Sequence, residues 1–193
     1  MTKFLTAALV ATTALSAPAF AQGSDPAPFT GPRVEAVAGY DRIQGGGEHK
    51  SGVSYGGAVG YDIQTGGAVL GVEAEATGST TDSCGGAGSV ADPQICLKAG
   101  RDLYAGGRVG AVLGENTLLY AKAGYTNARV RLTSNDGTTT STLTGRNLDG
   151  VRVGAGIEQR IGTKAYVKAE YRYSNYQDGV ARHGALAGVG IRF

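Results

Sequence analysis

Apolar and polar residues alternate along most of the chain after residue 32, and turn-forming residues interrupt the alternation at intervals. A period of two is the signature of a β-strand with two different faces. Each alternating segment has about the ten residues that a tilted strand needs to cross the hydrocarbon layer of a membrane. We therefore predict eight strands, at residues 33–43, 52–63, 68–79, 101–113, 117–130, 148–159, 164–174 and 183–193.

The connections between these segments alternate strictly in length. The short ones, at 64–67, 114–116 and 160–163, contain the Gly and Asn residues that tight hairpins need. The longer ones lie at 44–51, 80–100, 131–147 and 175–182. This alternation is typical of an antiparallel up-and-down barrel with short turns at one end and long loops at the other.

The two faces of the segments differ in chemistry. One face carries no charge and is built mainly of Ala, Val, Leu, Ile and Tyr, whereas the other mixes charged residues with many glycines. A lipocalin-like barrel would bury the apolar face, and a membrane barrel would turn it toward lipid. Glycine on a water-facing strand only weakens it, but glycine inside a narrow eight-stranded barrel makes room for long side chains. We therefore predict an all-β fold, an eight-stranded antiparallel transmembrane β-barrel.

Aromatic residues support this orientation. Most strand tyrosines would lie near the loop end of the barrel, and Tyr61 and Phe193 would lie near the turn end. Rings with one apolar and one polar side concentrate at the two membrane interfaces. The tyrosines predicted at the loop end are Tyr40, Tyr55, Tyr125, Tyr171 and Tyr173.

The charges on the inward face predict a polar network that closes the lumen. Buried ions are costly unless they are paired, so the mixture of signs is expected. Paired carboxylates can also serve acid–base catalysis, but five nearby cations and a narrow bore favour structural pairing. The predicted network consists of Glu35, Glu73, Glu75, Arg108, Lys122, Arg152, Lys168, Glu170 and Arg172.

The first residues have the pattern of a secretory signal peptide. Met1–Lys3 give a short basic start, an apolar run follows at residues 4–15, and Ala19–Ala21 forms an A-x-A cleavage site. The run is too short to span a bilayer as a helix, and a buried N-terminal helix would not explain the small-residue site. We expect a signal peptide at 1–21, a short periplasmic segment at 22–32 and the barrel at 33–193.

Charge and cysteine content exclude several classes of function. Lys3 is the only charge before residue 22, so 17 basic and 16 acidic residues follow it, which argues against nucleic-acid binding. After residue 21 the chain has no run of apolar residues long enough for a transmembrane helix.

Cys84 and Cys96 are expected to form one disulfide in an exported protein. Neither a metal site nor a cofactor is expected, since further ligands are lacking nearby.

The C-terminal segment 184–193 resembles the closing strand of bacterial outer-membrane proteins, and residues 34–41 and 119–125 add to the likeness. Together they resemble the small opacity-type surface proteins and the transmembrane domain of OmpA. The resemblance implies location in the outer membrane, contact with its lipid, and biogenesis by periplasmic chaperones and the barrel-assembly machinery. By position it gives Val189, Ile191 and Phe193 the role of assembly signal. Because the sequence ends at Phe193, we expect no peptidoglycan-binding domain of the OmpA type.

Three functional hypotheses follow. The first is a non-enzymatic barrel that supports the envelope and displays surface loops. Loops 80–100 and 131–147 could bind an extracellular ligand, the latter as a projecting hairpin whose edge adds a strand, or could vary without a fixed partner. The second is a small porin-like channel for ions or solutes. The third is a lipid-modifying enzyme at the rim. It would use Ser174 and His183, which we expect to lie close together across the last hairpin, although no recognisable catalytic motif surrounds them.

Overall fold

The computed structural model describes residues 27–45, 48–80, 82–86, 89, 94–135 and 137–193, so the predicted signal peptide at 1–21 lies outside the described residues. The described chain is almost entirely strand, with one short 3-10 helix at Gln177–Gly179. The strands are β1 (Gly31–Gly45), β2 (Glu48–Thr65), β3 (Ala68–Ser79), β4 (Asp82–Gly85), β5 (Gln94–Leu113), β6 (Thr117–Asn135), β7 (Thr140–Ile161), β8 (Ala165–Tyr176) and β9 (Ala181–Arg192). Within the described residues, no helix is long and apolar enough to cross a membrane.

Eight of these strands close into an antiparallel barrel. Their order is β3-β2-β1-β9-β8-β7-β6-β5, and pairing of β3 with β5 completes the ring. The short strand β4 pairs with the first part of β5, outside the ring. This confirms the predicted eight-stranded barrel. We call the end with the connections at 66–67, 114–116 and 162–164 the turn end, and the opposite end the loop end.

The strands differ in length at the loop end, and the sequence-based boundaries there were wrong. β5, β6 and β7 contain 20, 19 and 22 residues, against 12 each for β3, β8 and β9. Much of the predicted connections 80–100 and 131–147 is therefore strand, because backbone pairing continues past the barrel rim. We call the four-stranded extension formed by residues 82–85, 94–99, 130–135 and 140–146 the projecting sheet.

The distribution of apolar and charged side chains on the barrel wall is the reverse of that in a water-soluble protein. Apolar residues face outward, so that Leu70, Val72 and Val151 are 63%, 64% and 60% exposed. Charged residues face inward, and Arg152 and Glu158 are completely buried. The alternation of apolar and charged faces in the sequence predicted this arrangement.

Glycine allows neighbouring strands and lumen side chains to come close together. A Cβ atom on Gly124 would lie 2.3 Å from the carbonyl oxygen of Ala105 and 2.5 Å from the Cα of Gly106. On Gly156 it would lie 2.6 Å from the hydroxyl of Tyr120, which crosses the lumen. Any larger residue would have to displace backbone or a packed aromatic ring at these positions.

Candidate functional site

The lumen of the barrel is filled with charged side chains, and their positive and negative charges are equal in number. Among the described residues, eight acidic and eight basic side chains are buried there, each 6% exposed or less, and every barrel strand contributes at least one. The acidic members are Glu35, Asp41, Asp62, Glu73, Glu75, Asp102, Glu158 and Glu170; the basic members are Arg33, Arg108, Lys122, Arg152, Lys168, Arg172, Arg182 and Arg192.

Near the turn end, two carboxylates hold several arginines. Asp62 accepts hydrogen bonds from Nε of Arg108 at 2.9 Å and from Nη2 of Arg192 at 2.7 Å. Glu158 accepts from the same two arginines, at 3.2 Å and 2.9 Å. Nε of Arg33 lies 3.1 Å from Asp62 and joins this group to the next level.

At mid-height, lysines bridge glutamates from opposite walls. Nζ of Lys122 lies 2.7 Å from Oε1 of Glu73 and 2.8 Å from Oε1 of Glu170. The Tyr120 hydroxyl donates a hydrogen bond to Glu170 at 2.8 Å. Lys168 contacts Glu35, which also contacts an arginine of the lower level. Lys122 therefore spans the bore between two walls of the barrel.

Near the loop end, the carboxylate of Asp102 is the acceptor for four side chains. Its carboxylate accepts from Thr126 at 2.7 Å, from Tyr176 at 2.8 Å and from Arg182 at 2.8 Å, and it also contacts Arg152. Nε of Arg152 donates to the hydroxyl of Ser174 at 2.8 Å, and its Nη1 donates to Glu75 at 3.0 Å. The pairs thus form a continuous network along the whole bore.

An aromatic side chain closes the turn end. Phe29, which precedes β1, is completely buried and packs with Val69, Leu118 and Tyr120. The guanidinium of Arg192 lies 5.4 Å from the centre of its ring. The Phe29 backbone N–H donates to Oε1 of Gln64 at 3.0 Å, and the N–H of Gln64 donates to Oγ1 of Thr30 at 3.0 Å. The last residues of the predicted periplasmic segment 22–32 therefore form a plug, and β1 already begins at Gly31.

The structure places all nine residues of the predicted network in the lumen and adds others that the sequence analysis did not include. Arg192 lies between outward-facing Ile191 and Phe193, so strict alternation could have identified it as inward. Arg182 fell just outside the predicted eighth segment. Phe29 could be inferred only indirectly. Val69 and Leu118 are apolar residues at inward positions near the turn end, and they therefore need an apolar partner in the lumen.

Ser174 and His183 do not form a reactive pair, which corrects the prediction that they lie close together. Ser174 pairs in register with Arg182 and His183 with Tyr173, so their side chains lie on opposite faces of the wall. The serine is buried in the lumen, while His183 Nδ1 lies 2.7 Å from the hydroxyl of Tyr171 on the exterior. Among the described residues, no cluster of His, Cys, Asp and Glu could hold a metal ion.

The projecting sheet has two unlike edges. At one edge, the predicted disulfide joins Cys84 of β4 to Cys96, its direct partner in register on β5. At the other edge is β7, whose pairing with β8 starts only at Gly150. Within the described residues no strand pairs with that side of residues 140–149, and Leu143 there is 55% exposed. The β4 edge is thus four residues long and cross-linked to its neighbour strand, whereas the β7 edge is longer and has no cross-link.

Comparison with known proteins identifies relatives of the fold. The sequence matches the outer membrane protein beta-barrel domain family over residues 7–193. Neisserial surface protein A is similar in structure, with a TM-score of 0.59 and 17% identity over 85% of this chain and 98% of that one. Ail, the attachment invasion locus protein of Yersinia pestis, solved with the heparin analogue sucrose octasulfate, gives a TM-score of 0.58 and 16% identity over 84% of this chain and 99% of Ail. No curated protein matches the sequence.

Proposed function

Because the chain belongs to the outer membrane protein beta-barrel domain family and lies in the outer membrane, we propose that it is a closed, non-enzymatic barrel that supports the envelope and displays the projecting sheet at the cell surface. In this membrane, short turns face the periplasm and long loops face outward. The open edge of β7 at residues 140–149 is the observation that carries the display role.

The closed lumen supports this proposal over a channel. Eight acidic and eight basic side chains fill the bore, and Phe29 fills its periplasmic mouth. An ion crossing the barrel would have to separate several buried pairs, each costly to break. We expect no stable conductance from the purified protein in planar bilayers. The double variant Glu73→Ala with Lys122→Ala, which removes a crossing pair, serves as the matched comparison. Steady porin-like conductance of the unmodified protein would contradict the proposal.

The open edge supports binding of an extended segment of another chain. Unpaired backbone groups on an edge strand can accept an added strand, with side-chain pockets giving selectivity. The upper part of the open edge, residues 140–145, reads Thr-Ser-Thr-Leu-Thr-Gly and carries no charge or proline, so it lacks the residues that usually protect an edge, while Arg146 and Asp149 lie nearer the rim. Ail carries a bound heparin analogue in its structure. By analogy we propose an extracellular ligand for this surface, formed by segments 80–100 and 131–147.

Adhesion of displaying cells to immobilised extracellular matrix proteins tests this role. Deleting residues 131–142 is expected to abolish binding while the barrel still folds. Leu143→Lys places a charge on the open edge strand and is expected to have the same effect. Thr133→Lys, on β6 in the middle of the sheet, is the matched control and should leave binding unchanged. If all three variants bind like the unmodified protein, the sheet has no such role.

We also propose how the protein reaches its membrane. Residues 1–21 act as the signal peptide, and the mature chain passes periplasmic chaperones to the barrel-assembly machinery. Val189, Ile191 and Phe193 lie on the outward face of the terminal strand, 60%, 46% and 62% exposed, where an assembly factor can read them. Substituting Phe193 by Ser is expected to reduce the amount of folded protein in the outer membrane. A matched change of Phe4 to Ser should instead impair export.

A further inference from the structure

The outer wall of the barrel carries arginines just beyond the tyrosines of the loop end. On β6, Tyr125 faces outward, and pairing with β7 continues without a shift from Tyr125 to Arg131. Because side chains alternate between faces, Arg129 and Arg131 must lie on the same exterior face as Tyr125. On β5 an irregularity in register places Gly100 and Arg101 opposite Arg129, and Arg101 is exposed. We call Arg101, Arg129 and Arg131 the exterior arginine strip.

The height of this strip matches the polar zone of the outer leaflet. A strand rises about 3.3 Å per residue and tilts by about 40° in such barrels, so Arg129 lies about 10 Å above Tyr125 and Arg131 about 15 Å. Tyrosines of a girdle lie at the boundary between hydrocarbon and headgroups. Arginine side chains also bend toward a nearby polar layer, while their stems stay on apolar surface. The strip is thus within reach of the headgroups.

The strip is positively charged, and the part of the chain that the structure describes supplies no acidic partner for it. Among the described residues, no carboxylate forms an ion pair with any of its three arginines. Asp149, a described acid on the same exterior face, already accepts hydrogen bonds from the Tyr125 hydroxyl at 2.5 Å and from Asn127 at 2.6 Å. Nε of Arg129 is buried without a hydrogen-bond partner, although the guanidinium lies against Gly145. The lumen arginines, by contrast, all contact carboxylates.

We propose that the exterior arginine strip binds the phosphate groups of a phosphorylated glycolipid in the outer leaflet. Guanidinium groups bind phosphate through two parallel hydrogen bonds, which favours Arg over other cations at such a site. The occupant is a membrane lipid rather than a soluble polyanion because the arginines face sideways, on the lipid-facing wall, and not upward on the tip of the projecting sheet. Bound lipid would anchor the base of the projecting sheet to the surrounding leaflet.

Binding of bisphosphorylated lipid A to the protein purified from outer membranes in detergent tests the proposal, with lipid A stripped of both phosphates as the comparison. The unmodified protein should prefer the phosphorylated lipid. The double variant Arg129→Gln with Arg131→Gln should bind it about 10- to 30-fold more weakly and lose the preference. The matched control, Arg160→Gln with Lys164→Gln, removes two positive charges at the turn end, on the opposite side of the membrane, and should bind normally.

Each remaining outcome decides the question. Heat-modifiable gel migration of both double variants must match that of the unmodified barrel, so a loss of binding cannot come from misfolding. Equal binding of the two lipids by the unmodified protein, or equal binding by the strip variant and the control, would overturn the proposal. Arginine-dependent binding of sucrose octasulfate, with lipid A binding unaffected, would also overturn it and assign the strip to a soluble sulfated ligand.

Discussion

The lumen and the projecting sheet are built from the same strands, yet they satisfy their polar groups in opposite ways. Inside the ring, each barrel strand has two neighbours and the buried charges contact one another across the bore. Above the rim, β5, β6 and β7 continue without the rest of the ring, so that one edge of β7 has no partner strand among the described residues. The same chain therefore combines a self-sufficient lower part with an upper part that can accept a partner.

This difference shows which part of the molecule tolerates change. A charge removed from the lumen leaves its former partner buried without compensation, whereas water can take the place of a polar side chain that is removed from the projecting sheet. Stability should consequently reside in the ring and binding in the sheet. Four predictions test this division, and they run from the largest expected loss of stability to the smallest.

The division is tested most strongly by removing one arginine from each region. Arg152 is completely buried and contacts Glu75, Asp102 and Ser174, so Arg152→Ala should lower the free energy of unfolding by about 3–5 kcal/mol. Arg131→Ala, on the exposed base of the sheet, should change it by less than about 0.5 kcal/mol in lipid A-free detergent. Urea titrations of the two variants provide the measurement. Similar losses for both would refute the division.

The second prediction concerns the end of the lumen, where ionic packing gives way to apolar packing. Phe29→Ala removes a buried ring that packs against Val69 and Leu118 and should lower the free energy of unfolding by about 3 kcal/mol. Phe29→Leu keeps an apolar plug but lacks the aromatic face presented to Arg192, and should have a smaller effect. If the alanine variant is as stable as the unmodified protein in the same urea titration, residues 27–30 do not seal the barrel.

The ring was predictable from the sequence because every strand has to meet two physical requirements. Membrane lipid demands uncharged residues on one face, and a narrow bore demands charges that pair and glycines that make room. Positions such as Glu73 and Lys122 could therefore be assigned to the lumen from parity alone. That the lumen side chains pair with one another could be predicted because both acidic and basic residues face inward. Which acid pairs with which base depends on the register between strands, and the period-two pattern of a single strand does not reveal that register.

The ends of the strands were less predictable. The need for uncharged residues against lipid does not determine how far β5 and β6 continue beyond the membrane into water. There, segments that are rich in threonine or that mix polar and apolar residues are also compatible with loops. Phe29 lies outside any alternating segment, so its packing depends on the fold of the rest. Proximity in the last hairpin was misleading for Ser174 and His183, because residues of opposite parity point to opposite sides of the wall.

A pair of glycines gives a third and finer comparison. Gly124→Ala introduces a methyl group into space already occupied by the backbone of β5, and should lower the free energy of unfolding by about 1–3 kcal/mol. At Gly145, in the projecting sheet, the nearest atom to a new Cβ is Nη2 of Arg129 at 3.5 Å, which is ordinary contact. Gly145→Ala should therefore be close to neutral. Equal destabilisation by both substitutions would mean that close strand approach does not limit the ring.

The smallest expected effect on global stability belongs to the disulfide, since it lies wholly above the ring. The disulfide closes a loop between two cysteines 12 residues apart in sequence. In the chain-entropy model such a cross-link stabilises the folded loop by about 3 kcal/mol, and replacing Cys84 and Cys96 with serine removes that stabilisation. That stabilisation applies to the β4–β5 hairpin, which can open without disturbing β8 or β9. Amides of residues 82–85 should exchange with solvent up to about 100-fold faster in the variant, because 1.4 kcal/mol corresponds to a factor of ten. Amides of β8 and β9, which serve as the internal control, should keep their rates, and the urea midpoint should stay the same. A lower midpoint would mean that the sheet above the rim contributes to the stability of the ring, and the two regions would have to be treated as one cooperative unit.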